Sequence, residues 1–326
     1  MRRLRILYIV GPTRSGSTLL ARVLNEFPGV WSAGEVVSLD VVLQSCRNQG
    51  LSSVANAATF VPNGAADRAA RRFSGLCGCG LPVQDCQIWA RVEKAVFGDP
   101  PDYTPWSWDA SRPSAPRLLL RGTRRGLEQD ASELGRVARS IYSEIAEITG
   151  AEVIVDESKT PLYGWFLANQ AWADVVPVRL VRDPRETVAS WSRPKPYPGI
   201  ESGALPAHGT PAGTVEWLKR VVLADRLFRD APLVRYEDLV EAPVEISTRL
   251  LARFGLGDRP PVVGDRHALP VATNHIIAGN PDKFERGVVE MRPRSGSSAR
   301  LRWRDRALVT AATFPLLRRY GYRQRP

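Results

Sequence analysis

The sequence predicts an α/β fold with a mainly parallel central sheet and helices on both faces. Three observations point to it. The apolar run Leu4–Val10 enters a glycine loop, GPTRSGST at 11–18, and the loop enters a stretch of helical spacing. Segments of strand character then alternate with segments of helical character along most of the chain. Finally, 44% hydrophobic and 24% charged residues over 326 positions suit a globular chain with a sizeable core.

Each element has a local reason. Leu4–Val10 is short and rich in β-branched residues, as a buried strand requires. In STLLARVLNEF, Leu19, Leu20, Val23, Leu24 and Phe27 share a helical face, which predicts a helix over Ser17–Phe27. Strand, glycine loop and helix together open a P-loop-like three-layer domain. EVIV at 152–155 reads as a strand, followed by DESKTP and a helix over 162–171. VVPVRLV at 175–181 reads as another, followed by a helix to Trp191 with Pro184 in its first turn. Residues 232–234 lead into Arg235-Tyr236-Glu237-Asp238 and a helix over 244–254. Two regions break the alternation. Residues 36–125 read as a mostly helical insertion into a single domain spanning 1–326, and the proline- and glycine-rich stretch 193–213 reads as a long mobile loop.

Forty-five Lys and Arg against 34 Asp and Glu give a formal charge of +11, which favours an anionic partner. Only five lysines occur, and the arginines are scattered rather than blocked, so nucleic acid is not the expected partner. Met1–Arg5 followed by ILYIV imitates the start of a signal peptide, but the apolar run is short and leads into the glycine loop. No segment is apolar over a bilayer's width, so a cytoplasmic protein without stable membrane insertion is expected. Cys77, Cys79 and Cys86 form one Cys-x-Cys and a more distant cysteine; with Cys46 they read as free thiols or local structure rather than a metal site.

The glycine loop lacks the lysine of a nucleoside-triphosphate P-loop: Ser17 follows Gly16 where lysine belongs, and Arg14 lies inside the loop. Backbone amides at a helix start, with the hydroxyls of Ser17 and Thr18, still suit one terminal phosphate-like group. A ligand-free strand-to-helix turn is the plain alternative. RDPRETVAS at 182–190 places Arg182 at a strand end and Ser190 on the next helix, where both can reach a second anion at the carboxyl edge of the sheet. Alone, Arg182-Asp183 more often makes a local ion pair or cap.

Taken together, GPTRSGSTLL and RLVRDPRETVASW resemble the two cofactor loops of sulfotransferases that use 3′-phosphoadenosine 5′-phosphosulfate (PAPS). The resemblance implies that the first loop, through Arg14, Ser15, Gly16, Ser17 and Thr18, holds the 5′-phosphosulfate end. It implies that Arg182 and Ser190 hold the 3′-phosphate. PGVWSAGE resembles a segment of tyrosylprotein and bacterial carbohydrate sulfotransferases and places Glu35 as general base. VRYEDL places Tyr236 near the nucleotide, and DESKTP places Lys159 where many relatives keep an active-site cation. NHIIAGNPDKFERG resembles a closing segment of bacterial members and puts Lys283 where arginine is common. The matching motifs run from residue 6 to about 287, and the poorly matched insertion is expected to shape the acceptor site.

Sulfuryl transfer moves SO3 in line from a phosphate to an acceptor oxygen or nitrogen. The moving group carries less charge than a phosphoryl group, so no metal is expected. Arg14 and Lys159 can stabilise charge on the bridging oxygen, and Glu35 can take the acceptor's proton. Of His208, His267 and His275, only His275 stands near a matched motif, and it reads as structural. Trp106 and Trp108 could stack on an acceptor, though aromatics in such loops more often pack. Small-molecule, glycan and lipid acceptors all fit, and the sequence does not specify an oligomeric state. Two other readings compete: a P-loop kinase or NTPase with Asp156 as magnesium ligand, and a non-catalytic module binding nucleic acid.

Overall fold

In the structure, a computed structural model, β1 (Leu4–Val10) is the middle strand of a five-stranded sheet. It is flanked by β3 (Val153–Lys159) and β4 (Ala173–Val181), with β2 (Val30–Gly34) beyond β3 and β7 (Leu233–Arg235) beyond β4. All four pairings are parallel, so every strand delivers its carboxyl end to one edge. The described residues are 3–48, 75–106, 133–199, 204–205, 207–259, 261, 268–291, 296 and 298–322. The expectations for Trp108 and His267, and for the remaining positions of the insertion and of the 193–213 stretch, fall outside them.

Alternation along the strands builds two cores. Ile6, Tyr8 and Val10 of β1, with Ile154 of β3, face one hydrophobic cluster. Leu7 and Ile9, with Val153, Val155, Val178 and Leu180, face the other. A central parallel strand buried on both faces must be apolar throughout, as this one is.

In chain order the described helices are α1 (Ser17–Asn25), α2 (Leu39–Asn48), α3 (Gln87–Phe97), α4 (Glu133–Thr149) and α5 (Pro161–Ala168). They continue with α6 (Pro184–Trp191), α7 (Thr210–Leu227), α8 (Tyr236–Glu241), α9 (Pro243–Leu251) and α10 (Trp303–Arg319). α1, α8 and α9 cover one face of the sheet. α2, α3, α4 and α5 cover the other, which gives the three layers expected. A third cluster joins α6, α7 and α10 through Val188, Trp191, Trp217, Val221 and Val309.

The regular elements in the described parts of residues 36–125 are helices and short helical turns, apart from an isolated bridge between Leu76 and Pro82. The 193–213 stretch is not simply a loop. β5 (Lys195–Pro196) pairs antiparallel with β6 (Ala204–Leu205), and α7 begins at Thr210. Tyr197 fastens this ribbon to the neighbouring segment by donating to the carbonyl of Ala278 at 3.0 Å.

β3 runs four residues past Val155, where the sequence suggested its end, and Asp156–Lys159 are all buried. The pairing slips at this point. Tyr8 is opposite Asp156, yet Val10 is opposite Lys159, so β3 carries an extra residue just before the cleft. Such an irregularity re-aims the side chains that follow it.

β2 ends at Gly34 with φ 91°, and a Cβ there would sit 2.2 Å from the Ile277 carbonyl oxygen. The close approach lets Ile277 donate to the Ala33 carbonyl at 3.1 Å and Glu35 donate to the Ile277 carbonyl at 3.2 Å. Gly34→Ala is therefore expected to cost about 2–3 kcal/mol in urea unfolding; an unchanged midpoint would mean that this approach is not tight in solution.

Candidate active site

The loop between β1 and α1 curls because two of its residues adopt left-handed backbone. Gly16 caps α1 at φ 95° and Arg14 lies at φ 63°. Gly16 has a steric reason as well: a Cβ would meet the Tyr236 ring at 2.5 Å. Ser17 and Thr18, in the first turn of α1, line a cleft of about 520 Å³ at the carboxyl edge of the sheet. Arg14 lines it too, and burial lowers its guanidinium's pKa, partly offset by Asp282 and Tyr197. Arginine stays charged through such a shift. Ser15 differs from its sequence expectation. Its hydroxyl turns inward and donates to the Pro12 carbonyl at 2.6 Å, so its side chain braces the loop.

Beside the loop the cleft carries a three-membered charge cluster. Lys159, at φ 62°, directs Nζ to Glu35 Oε1 and to the Glu157 carbonyl, each at 2.7 Å. The Glu157 carboxylate lies 3.8 Å from the same ammonium. Thr18 Oγ1 donates to it at 3.0 Å, and Asn280 N donates to Thr18 Oγ1 at 3.1 Å. Burial raises the Glu157 pKa, with the Glu35 charge adding to the shift, while Lys159 and the hydroxyls of Ser17 and Thr18 oppose it. Side-chain exposure separates the roles: Lys159 is 4% exposed and Glu157 0%, whereas Glu35 is 16% exposed and reaches the cleft. Glu35 precedes the short turn Val36–Ser38 without capping it by its side chain. It accepts instead from Gly279 N at 3.0 Å.

The second loop follows β4. Asp183 caps α6 by accepting from Arg185 N at 2.8 Å and pairs with the Arg185 side chain. Arg182 lies 3.9 Å from the Glu186 carboxylate, one helical turn on. It stacks 4.4 Å from the centre of the Tyr236 ring and donates to the Arg14 carbonyl at 3.3 Å. The two loops and the tyrosine therefore meet, and Ser190, Arg182 and Tyr236 line the same cleft as Arg14, Lys159 and Glu35.

Several placements differ from the sequence reading. Lys283 does not line the cleft; it is fully buried, donates to the Leu76 carbonyl at 2.8 Å and is lowered by burial to about 8. The residues of its segment that do reach the cleft are Ala278, Gly279, Asn280 and Asp282. His275 lies away from the cleft, beside the cysteines, whereas His208 lines the cleft next to Trp191. Trp106 is fully buried against Tyr163 and does not line the cleft. Asp156 turns away into the aromatic core. It accepts from the Tyr142 hydroxyl and from Ser158 N at 2.7 Å, so it offers no carboxylate to a cleft-bound magnesium.

Sequence reasoning did not single out Glu157, Lys195, Tyr197, Asn280, Asp282 or Arg220. Glu157 and Lys159 alternate within DESK, a charged run at a strand end, and that spacing was the available signal for Glu157. Lys195 pairs with Asp282 at 2.8 Å across 87 positions, a contact with no local trace in the sequence.

Residues 7–260 match the sulfotransferase family, and the chain belongs to it. Comparison with curated proteins finds no relative. Among solved structures, the chain is similar to the sulfotransferase domain of the Synechococcus PCC 7002 olefin synthase at 17% identity and TM-score 0.46, over 100% of this chain and 98% of that one. It is similar to the sulfotransferase domain of the curacin biosynthetic pathway at 15% identity and TM-score 0.46, over 100% of both chains. Sulfotransferase STF9 of Mycobacterium avium shows 14% identity and TM-score 0.42, over 98% of this chain and 77% of that one.

Asp156 gives the site's foundation a pH signature. Burial raises its carboxyl from 3.8 to about 6, against hydrogen bonds from Ser158 and Tyr142. Well below pH 3.8 it is protonated in both folded and unfolded chains. As pH rises towards about 6, the unfolded chain ionises it while the folded chain still holds the proton, so stability falls. Relative to Asp156→Asn, wild type is expected to lose roughly 3 kcal/mol over this window. Parallel denaturation profiles for the two proteins would overturn that assignment.

Proposed function

We propose that the chain transfers a sulfuryl group from PAPS to a hydroxyl or amine of a small-molecule, glycan or lipid acceptor. The observation that carries this reading is the meeting of two cation-bearing loops on one cleft, with Arg182 bonded to the backbone of Arg14. A ligand with two separate anionic ends fits such a pair. The Gly16 cradle supports the fit, since any side chain there would strike Tyr236.

Arg14, Ser17 and Thr18, with the amides at the start of α1, would hold the 5′-phosphosulfate end. Arg182 and Ser190 would hold the 3′-phosphate, and Tyr236 supports Arg182 from beneath. PAPS supplies the sulfuryl group, and its other product is 3′-phosphoadenosine 5′-phosphate. Glu35 orients the acceptor and removes its proton. Lys159 and Arg14 stabilise the negative charge that grows on the leaving phosphate. Lys159 can do so because Glu35 and Glu157 keep its ammonium in place without solvent. Val37 and Ser38 belong to the insertion and line the cleft, which supports a role for residues 36–125 in acceptor choice. The kinase reading loses support because its candidate aspartate, Asp156, packs against Tyr142.

Titration calorimetry tests the reading. The bisphosphate product is expected to bind at least about tenfold more tightly than AMP or Mg-ATP, since a charge-assisted contact is worth 1.4 kcal/mol or more. Equal affinities would sink it. Arg182→Ala is expected to remove most of the preference for the 3′-phosphorylated nucleotide; if the preference survives, the 3′-phosphate lies elsewhere. Glu35→Gln keeps acceptors for Lys159 and Gly279 but cannot take a proton. It is expected to bind nucleotide within a few-fold of wild type and to lose turnover by about 10²–10⁴. Full turnover in that variant would assign the base to another group, with His208 the next to test.

A further inference from the structure

We propose that Cys77, Cys79, Cys86 and His275 form a structural zinc site that ties the helical insertion to the segment closing the cleft. The proposal is independent of the sulfuryl-transfer reading. The ligand atoms of these four residues all lie within 4.8 Å of one another. His275 Nδ1 is 3.2 Å from Cys86 Sγ and 3.8 Å from Cys77 Sγ. A tetrahedral zinc with Zn–S near 2.3 Å and Zn–N near 2.0–2.1 Å sets its ligand atoms roughly 3.5–3.8 Å apart. The cluster's separations bracket that spacing, so small side-chain adjustments close it around an ion, and its three cysteines are free thiols rather than disulfides.

The backbone holds the four donors firmly. Cys77 and Cys79 lie on a tight hairpin closed by Cys77 N to the Leu81 carbonyl and Gly80 N to the Cys77 carbonyl, both at 2.8 Å. Cys86 immediately precedes α3, where the helix N-terminus favours a thiolate. The carbonyl of His275 accepts from Trp89 Nε1 of α3 at 2.7 Å. Gly78 N donates to the Ile276 carbonyl at 3.0 Å, and a Cβ at Gly78 would strike Asn274. Hairpin, helix start and the 274–276 segment thus converge without needing an ion to bring them close. Three sulfurs and one imidazole in a closed site select zinc among the common divalent ions.

Charge balance accounts for Lys283. Zinc displaces the protons of the three thiols to solvent, and with a neutral imidazole the complex carries one net negative charge. The fully buried ammonium of Lys283 bonds to the carbonyl of Leu76, the residue before Cys77. The anionic complex supplies this interior cation with a counter-charge. None of the four ligands lines the cleft, so the site is structural. Its mechanical effect reaches the cleft because the segment that carries His275 continues to Gly279, whose amide binds Glu35.

Metal analysis of the full chain, purified from zinc-supplemented cells and dialysed against a weak chelator, is expected to give about one zinc per chain. Cys79→Ser, on the half-exposed hairpin tip, is expected to lose most of that zinc, whereas Cys46→Ala keeps it. Cobalt exchanged into wild type should show tetrahedral d–d absorption with thiolate charge transfer. That readout does not depend on whether a variant folds. Stripping the metal should lower the thermal midpoint. A folded wild type that neither retains nor titrates zinc or cobalt, with its cluster thiols freely reactive or joined in a disulfide, would overturn the proposal.

Discussion

The arrangement of the cleft depends on one buried ammonium. Lys159 sits between two carboxylates and is almost wholly removed from water. A lysine in such a place must be paired, and losing a partner from a buried pair costs about 3–5 kcal/mol. The pairing fixes more than charge. Glu35 comes from the end of β2, Glu157 and Lys159 from β3, and Thr18 from α1. Gly279, bonded to Glu35, comes from a segment more than 200 positions away in sequence. Four pieces of chain are therefore held in register by a few charge-assisted hydrogen bonds. The register slip in β3 makes this possible, because it turns Lys159 towards the cleft rather than into the sheet.

The parts legible in the sequence were those whose cause is local. A strand must be apolar when both faces are covered, a helix must repeat its apolar residues, and a loop around an anion needs glycine and hydroxyls. Hence the parallel sheet, the flanking helices and the loop at 11–18 could be read directly. The resemblance of two short motifs then carried Arg182, Ser190 and Tyr236 to the same cleft. What could not be read has a non-local cause. Whether Ser15 faces the cleft or the Pro12 carbonyl depends on the curl of the loop. Whether Lys283 or its neighbours reach the cleft depends on how the 278–283 turn packs on Tyr197 and Phe284. Asp156 looked like a strand-end ligand, but the alternation of β3 sends it into the aromatic core.

The cysteines illustrate the same limit. Cys77, Cys79 and Cys86 are close in sequence and lack the paired spacing of a familiar metal motif. Their fourth companion, His275, is 189 positions beyond Cys86. It arrives because the chain after β8 (Ala268–Val271) runs back along the end of β2 before entering β9 (Gly287–Glu290). The insertion is thus anchored on the same stretch of backbone that closes the cleft, and Trp89 adds a hydrogen bond to it.

Arg14 and Lys159 both line the cleft, and both are held in left-handed backbone, where only glycine is at ease. Such conformations cost on the order of 1–3 kcal/mol each. Glycine at either position would relax the backbone and discard the charge. These two positions are accordingly where selection for a sturdier protein and selection for a working one pull in opposite directions. A lineage drifting away from this chemistry would be expected to lose its cations there first, and to become more stable as it did so.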